Sequence, residues 1–288
     1  MTDPVTIGSL AVAALSMTAE AILEGAVGEG HPPHPEHAHG GEKMSELARA
    51  INDLVIANRI LANEHVLDAF GHVSHRHPED PQRFLLARSR SPELVGHEDI
   101  LEFTLDGRPI RPDAPEPYGE RFIHGAIYEA RPEIQAVVHS HAQAVLPFSI
   151  SSVPFRPVIH TSSLCGCDIP VWDIREHFGD TRLLVLTIEQ GRDLAKTLDA
   201  GSGNAVLMRG HGFTAAAKSL IDVVKLSVYL PQNAWVLLEA LKLGGDIKCL
   251  SAGEIAQRAA APVGNDRIWE YWATRSGCGE LLANAAPR

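Results

Sequence analysis

The chain has 288 residues, 45% apolar and 21% charged, the profile of an ordinary globular protein with room for one large core. A formal net charge of −11 and a pI near 5.7 argue against a nucleic-acid partner, which needs a basic face. No apolar run reaches the roughly 20 residues of a membrane-spanning helix, so no membrane partner is expected either.

In chain order, residues 8–27 read as a helix of small apolar residues. Ser, Thr and Glu interrupt it and no basic stretch precedes it, so it reads poorly as a signal peptide. The stretch "GEGHPPHPEHAHGGEK" follows, with His31, His34, His37 and His39, and reads as a solvated tether rather than a metal site. Residues 1–41 are thus expected to be an appendage, and 42–288 the main domain with a C-terminal extension. From Ser45, Leu47, Ile51, Leu54, Val55 and Leu61 recur at helical spacing and predict a helix to about Asn63. "GHVSHRHP" and "RFLLARS" read as strands around a turn, and "DILEFTLDGRPI" as a hairpin through Asp106-Gly107. "GERFIHGAIYEARP" predicts a helix ended by Pro132, and "IQAVVHSHA" a strand. "DTRLLVLTIEQ" predicts a further strand and "GRDLAKTLDA" a helix. "NAVLMRGHGFTAAA" predicts two strands around a Gly-His-Gly turn, and residues 219–244 a long helix with Pro231 as a candidate kink. The irregular alternation with hairpins predicts a three-layer α/β/α fold around a mixed, largely antiparallel sheet. Cys165, Cys167, Cys249 and Cys278 form neither a disulfide framework nor a zinc-ribbon spacing. They read as reduced thiols of a cytoplasmic protein.

Chemistry concentrates at "VVHSHAQAV". On a strand, residues i and i+2 share a face, so His139 and His141 project together. That pair alone leaves a metal site and packed histidines both open. "MRGHGF" adds His211 in a glycine-flanked turn, where the backbone can approach closely. A third imidazole there would complete a three-histidine site with open coordination positions. Glu120, at the expected first turn of the helix before the His strand, is a candidate fourth ligand, a proton-transfer group, or both in turn, and also reads as a simple helix-start acid.

"PYGERFIHGAIYEARPEIQAVVHSHAQAV" and "AVLMRGHGFTAAAKSLIDVV" together resemble the class II aldolase/adducin family, over about residues 45–250. That family shows a Glu-led helix, an H-x-H strand and a downstream G-H-G turn in this order. The resemblance implies a single α/β/α domain, a ring-like homotetramer and metal-binding His139, His141 and His211. Glu120 is implied as the catalytic acid that also touches the metal. One divalent ion per chain follows, with zinc favoured and manganese, cobalt or iron as alternatives.

Three segments depart from the members that cleave sugar phosphates. G-N-x-S-x-R becomes "GHVSHR", with His72 at the asparagine; T-P-[ST]-G becomes "LARSRSPEL"; S-S-E becomes "YGE". A phosphate cradle of small hydroxyls and backbone N–H groups is not expected from these residues. Arg88 and Arg90, with Ser89 and Tyr118, are instead candidates for binding a planar, carboxylated small molecule, since arginine matches a carboxylate with two parallel hydrogen bonds. The same arginines also read as solvated loop residues. The pattern resembles the decarboxylase branch, which includes dihydroxyphthalate and carboxy-hydroxymuconate-semialdehyde decarboxylases of aromatic catabolism. This implies a metal-dependent lyase that releases carbon dioxide through a stabilised enolate or phenolate, with Glu120 as the first candidate acid and His72 or His124 as the second. The alternatives are an aldolase on a nonphosphorylated hydroxy-oxo acid, a nonheme-iron oxygenase and a noncatalytic adducin-like module. His160 reads as a packed histidine, and Tyr229 as core or interface.

Overall fold

The computed structural model describes residues 44–201, 203–260 and 264–284. The expected helix over 8–27, the His-rich tether and the boundary near residue 42 lie outside the described residues. Helix α1 (Glu46–Asn63) starts where Ser45 accepts the Ala48 N–H through its hydroxyl. Strands β1 (His72–Arg76), β2 (Arg83–Ala87) and β3 (Ile100–Thr104) follow, then helix α2 (Phe122–Ala130), strand β4 (Ala136–Ser140) and the single turn α3 (Leu146–Ser149). After these come β5 (Val171–Trp172), α4 (Arg175–Phe178), α5 (Ile188–Ala200), β6 (Ala205–Met208) and β7 (Gly212–Ala217). The long α6 (Leu220–Leu243) runs through Pro231, and α7 (Ala252–Ala260), α8 (Asn265–Arg275) and α9 (Gly279–Asn284) complete the described chain.

The strands form one sheet in the order β3-β2-β1-β4-β7-β6-β5, antiparallel except for the β5–β6 pair. Alternate residues divide between two cores, as the two-residue period of a strand requires. Val73, Leu85, Val138, Leu207 and Ala215 pack on one side with α1, α6 and α8 through Leu54, Leu226 and Trp269. Phe84, Leu86, Val137, Val206 and Ala216 pack on the other with α2 and α5 through Ile123, Ile127 and Leu194. The sheet is therefore buried between helical layers, as expected. His139 is in phase with Val137, so it faces the α2–α5 side.

Two sequence expectations need correction. "DTRLLVLTIEQ" is not a strand: residues 181–187 are irregular, and Leu183 holds a positive φ of 63°. Its backbone donors are taken by side chains. Val185 N–H goes to Glu120 Oε1, and Leu186 and Thr187 N–H go to Gln190, whose own N–H is capped by Thr187. With its N–H groups so used, the segment has few left for a ladder. The hairpin after β3 has no second strand: it closes as one isolated bridge between Phe103 and Pro109, held by Thr104 N–H donating to Arg108 O and Ile110 N–H donating to Glu102 O, each at 2.9 Å.

Candidate metal centre

The site lies at the strand ends on the α2–α5 side. Register places His72 of β1 opposite His139 of β4, and His139 opposite Thr214 of β7. His141 stands one residue beyond β4, yet its ring returns to His139, with their Nε2 atoms 3.1 Å apart. His211 enters from the β6–β7 turn, its Nε2 3.2 Å from His141 Nε2. Two glycines place it. Gly210 holds φ +65°, and a Cβ on Gly212 would lie 1.9 Å from the Ser140 carbonyl oxygen. Glu120 sits in a single 3-10 turn (Gly119–Arg121) just before α2, rather than in the helix's first turn. Its Oε2 is 3.5 Å from His139 Nε2 and 3.4 Å from His211 Nε2.

The neighbours fix which ring nitrogens carry protons. The Phe213 carbonyl can only accept, so His139 Nδ1, 3.2 Å away, is the donor. The Asp68 carboxylate lies 3.2 Å from His141 Nδ1 and likewise accepts. Burial would raise the Asp68 carboxyl, but the Phe70 and Gly71 N–H groups and His141 hold it below its ordinary value. With the proton on Nδ1 in both rings, Nε2 of His139 and His141 are bare lone pairs facing each other. Burial drives His139 below the ordinary imidazole range despite Glu120, which favours this neutral form. Burial works against ionisation of Glu120 too; a positive neighbour, either a protonated His139 or His211 ring or a bound cation in its place, holds its carboxyl well below the usual range.

One donor atom from each of Glu120, His139, His141 and His211 falls within 4.8 Å of the others. Lone pairs this close repel unless a cation lies between them. Ligands about 2.0–2.1 Å from one ion sit roughly 2.9–3.4 Å apart, close to the spacings found here. The Asp68–His141 and Phe213–His139 hydrogen bonds are the outer supports that orient histidine ligands. The residues present therefore fit a divalent metal ion.

A cavity of about 580 Å³ opens over this cluster. Asp68, His72, Ser89, Tyr118, Glu120 and Gln143 line its polar side, and Phe70, Leu146, Leu184 and Leu186 its apolar side. No lysine or arginine is among the described residues that line it.

A model of the class II aldolase and adducin N-terminal domain matches residues 52–238. The chain belongs to the class II aldolase and adducin family. It is 35% identical over 254 residues to the decarboxylase tropJ of Talaromyces stipitatus, covering 79% of this chain and 94% of that protein. It is 28% identical over 229 residues to the 3,4-dihydroxyphthalate decarboxylase of Arthrobacter keyseri, covering 75% of this chain and 90% of that one. The L-fuculose 1-phosphate aldolase of Glaciozyma antarctica shares the fold, with a TM-score of 0.64 at 22% identity over 88% of this chain and 94% of that chain.

Of the residues singled out in the sequence, His139, His141, His211 and Glu120 meet. His72, Ser89 and Tyr118 line the cavity. The Tyr118 hydroxyl donates to the Arg90 carbonyl, and burial pushes it up to about 12. Arg88 and Arg90 do not line the cavity. Both turn to the buried Asp99, with Arg88 Nε 2.6 Å and Arg90 Nη1 3.3 Å from Asp99 Oδ1. Antiparallel register explains this. Ala87 pairs with Ile100, so Arg88 and Asp99 come next along the same ladder, where Arg88 N–H donates to Asp99 O at 2.8 Å. His124 is fully buried behind His72 and does not line the cavity. His160 is exposed rather than packed. Tyr229 packs against Trp272, with ring centroids 5.9 Å apart.

Sequence reasoning missed Asp68, Phe70, Gln143 and the Leu184–Leu186 wall. Asp68 carried one local signal, a carboxylate two residues before Phe70-Gly71 that caps both N–H groups. Nothing in the spacing connected it to His141, 73 residues away.

Proposed function

We propose that the protein is a divalent-metal-dependent decarboxylase of a hydroxylated aromatic or muconate-like carboxylic acid. The observation that carries this reading is a His139–His141–His211–Glu120 cluster beneath a cavity with no lysine or arginine among the described residues that line it. The names of its decarboxylase relatives support the same reaction class. His139, His141 and His211 would hold the ion through Nε2, and Glu120 through a carboxylate oxygen. When bound, a divalent ion supplies Lewis-acid stabilisation of negative charge on the substrate's oxygen. Zinc suits a mainly imidazole set, as do iron, manganese and cobalt less closely.

The protein's own groups divide the remaining work. Phe70, Leu146, Leu184 and Leu186 bind the planar body of the substrate and exclude water. Ser89 and Gln143 orient its polar edge. Glu120, ionised at rest, takes the proton of a substrate hydroxyl and returns it to the carbon that loses carbon dioxide. The leaving carboxylate meets apolar walls rather than arginines, so its charge is not stabilised before it departs as neutral carbon dioxide. The absence of a lysine or arginine among the described lining residues equally disfavours a phosphorylated sugar. Free thiols at Cys165, Cys167, Cys249 and Cys278 support a cytoplasmic setting. No described helix is long and apolar enough to cross a membrane. Exposed Trp235 and Tyr271 support a homo-oligomer, with the tetramer favoured by the family resemblance.

The test is carbon dioxide release from a panel of ortho-hydroxylated benzoates, hydroxyphthalates and muconate-like acids, with and without metal removal. Release from at least one acid that stops on chelation and returns with added ion is expected. Retro-aldol cleavage without carbon dioxide release, or release indifferent to chelation, would overturn the proposal.

A further inference from the structure

Behind His72 runs a buried line of polar groups that metal binding does not use. His72 Nδ1 lies 2.6 Å from His124 Nε2, and His124 Nδ1 lies 2.6 Å from the Ser74 hydroxyl. Ser74 Oγ in turn lies 2.8 Å from the Tyr128 hydroxyl. His124, Ser74 and Tyr128 are at most 1% exposed and His72 2%. Each is supplied by a different part of one local frame: alternate residues of β1 face α2, and α2 presents His124 and Tyr128 one turn apart.

Such a line can be ordered in two directions, and its far end decides between them. If protons pointed away from the cavity, Tyr128 would have to donate to the Gln135 carbonyl, which is 3.5 Å away. Pointed towards the cavity, the phenol donates to Ser74 Oγ at 2.8 Å, and every later contact is also satisfied. Ser74 then donates to His124 Nδ1, which leaves His124 its proton on Nε2. His124 Nε2–H donates to His72 Nδ1, which leaves His72 its proton on Nε2. With Nδ1 occupied, Nε2 is the ring nitrogen that His72 has left for the cavity it lines.

We propose that Tyr128, Ser74 and His124 are positioning residues that lock His72 in its Nε2–H form, as a hydrogen-bond donor to an anionic oxygen of the substrate. In this form His72 is a neutral donor rather than a base. Neighbouring bonds in one line polarise each other, so the order at Tyr128 is felt at His72. The substrate that receives this bond is the carboxylic acid proposed above; the order of the hydrogen bonds does not depend on that reading.

The test is proton–nitrogen correlation NMR of histidine-labelled protein with diamagnetic zinc added, since protonated and bare ring nitrogens resonate far apart. His72 is expected as one form, protonated on Nε2, and His124 likewise. Protonation of His72 on Nδ1 in the unmodified protein would overturn the proposal. In Ser74→Ala the two rings lose their fixed end and both forms of His72 are expected together. A single Nε2–H form persisting there would show that something else sets the ring, and would equally overturn it. Tyr128→Phe keeps the ring that stacks under Arg76, 4.7 Å from its centroid, so it serves if Ser74→Ala fails to fold. In activity, both variants should lower kcat roughly tenfold with KM nearly unchanged, the signature of a donor used in the transition state. If the NMR results hold and no acid is decarboxylated, the proposed reaction falls and the positioning line stands.

Discussion

Replacing Gly212 by alanine tests whether the glycine-flanked turn sets the metal centre. A Cβ there would lie 1.9 Å from Ser140 O and 2.9 Å from Ser140 C, both backbone atoms that cannot swing aside. Contacts under 3.0 Å are essentially never seen for a real Cβ, so β4 and β7 would have to part by about 1.1 Å. That opening falls between His139 and His211, one residue to either side of the contact. Metal sites tolerate about 0.2 Å in ligand distance, so the strain exceeds what the cluster can absorb. We expect Gly212→Ala to lose about 2–4 kcal/mol of stability and most of its bound metal. Gly210→Ala is the internal control. Its φ of +65° makes alanine cost about 1–2 kcal/mol, but the nearest atom to its Cβ is Ile150 Cγ2 at 3.9 Å, so His211 should stay in place. Elemental analysis and thermal unfolding, at a few degrees of Tm per kcal/mol for this size, read both effects. Full metal content in Gly212→Ala, or equal metal loss in the two variants, would refute the reasoning.

His139→Ala and His211→Ala should each bring bound divalent metal well below one per chain; full content in both would remove them as ligands. Glu120→Gln should keep the fold and most of the metal but lower turnover by roughly 100-fold, and near-normal turnover would exclude Glu120 from proton transfer. Asp99→Asn should cost about 2 kcal/mol of stability, moderated by the one-third exposure of Arg88 and Arg90, while leaving metal content unchanged. Burial opposes ionisation of Asp99, but Gly96 N–H, Arg88 and Arg90 hold its pKa below the ordinary value. Its contribution is therefore present above about pH 4 and lost as pH falls through the folded value. Acid unfolding of the native protein should steepen there, and that component should be missing in Asp99→Asn.

The candidate metal ligands were legible in the sequence because their geometry is local. His139 and His141 are two residues apart on a strand, and His211 is held by its own flanking glycines. Most of the sheet was legible for the same reason, since β1 to β4, β6 and β7 carry their apolar pattern locally, but the two-residue β5 gave no such signal. What stayed hidden depends on register between segments. Arg88 looked free for a substrate because Asp99 reaches it only once β2 pairs with β3. "DTRLLVLTIEQ" has the composition of a strand, and only the placement of Glu120 and Gln190 reveals that its N–H groups are already taken. His72 and His124 were visible as candidates, but the order of their protons is set by Tyr128, whose position on α2 carries no motif.

The lost arginines sharpen the chemical reading rather than weaken it. A fixed guanidinium on the substrate carboxylate would bind the ground state well and would have to be abandoned as the charge leaves with carbon dioxide. Binding that is equal in ground and transition states adds nothing to the chemical step. Here Asp99 holds both guanidinium groups away from the cavity, and Leu184 and Leu186 stand in its wall instead. In the proposed reaction no described lining residue adds positive charge to that of the ion the histidine cluster would hold, at the end where negative charge would build up. A retro-aldol reaction on a phosphorylated sugar has the opposite requirement, a permanent cation or N–H cradle for a phosphate that never leaves. The pairing of Arg88 and Arg90 with Asp99 thus removes a fixed anion anchor from the cavity, and leaves the metal end and the neutral His72 N–H proposed above as the places where charge would be stabilised.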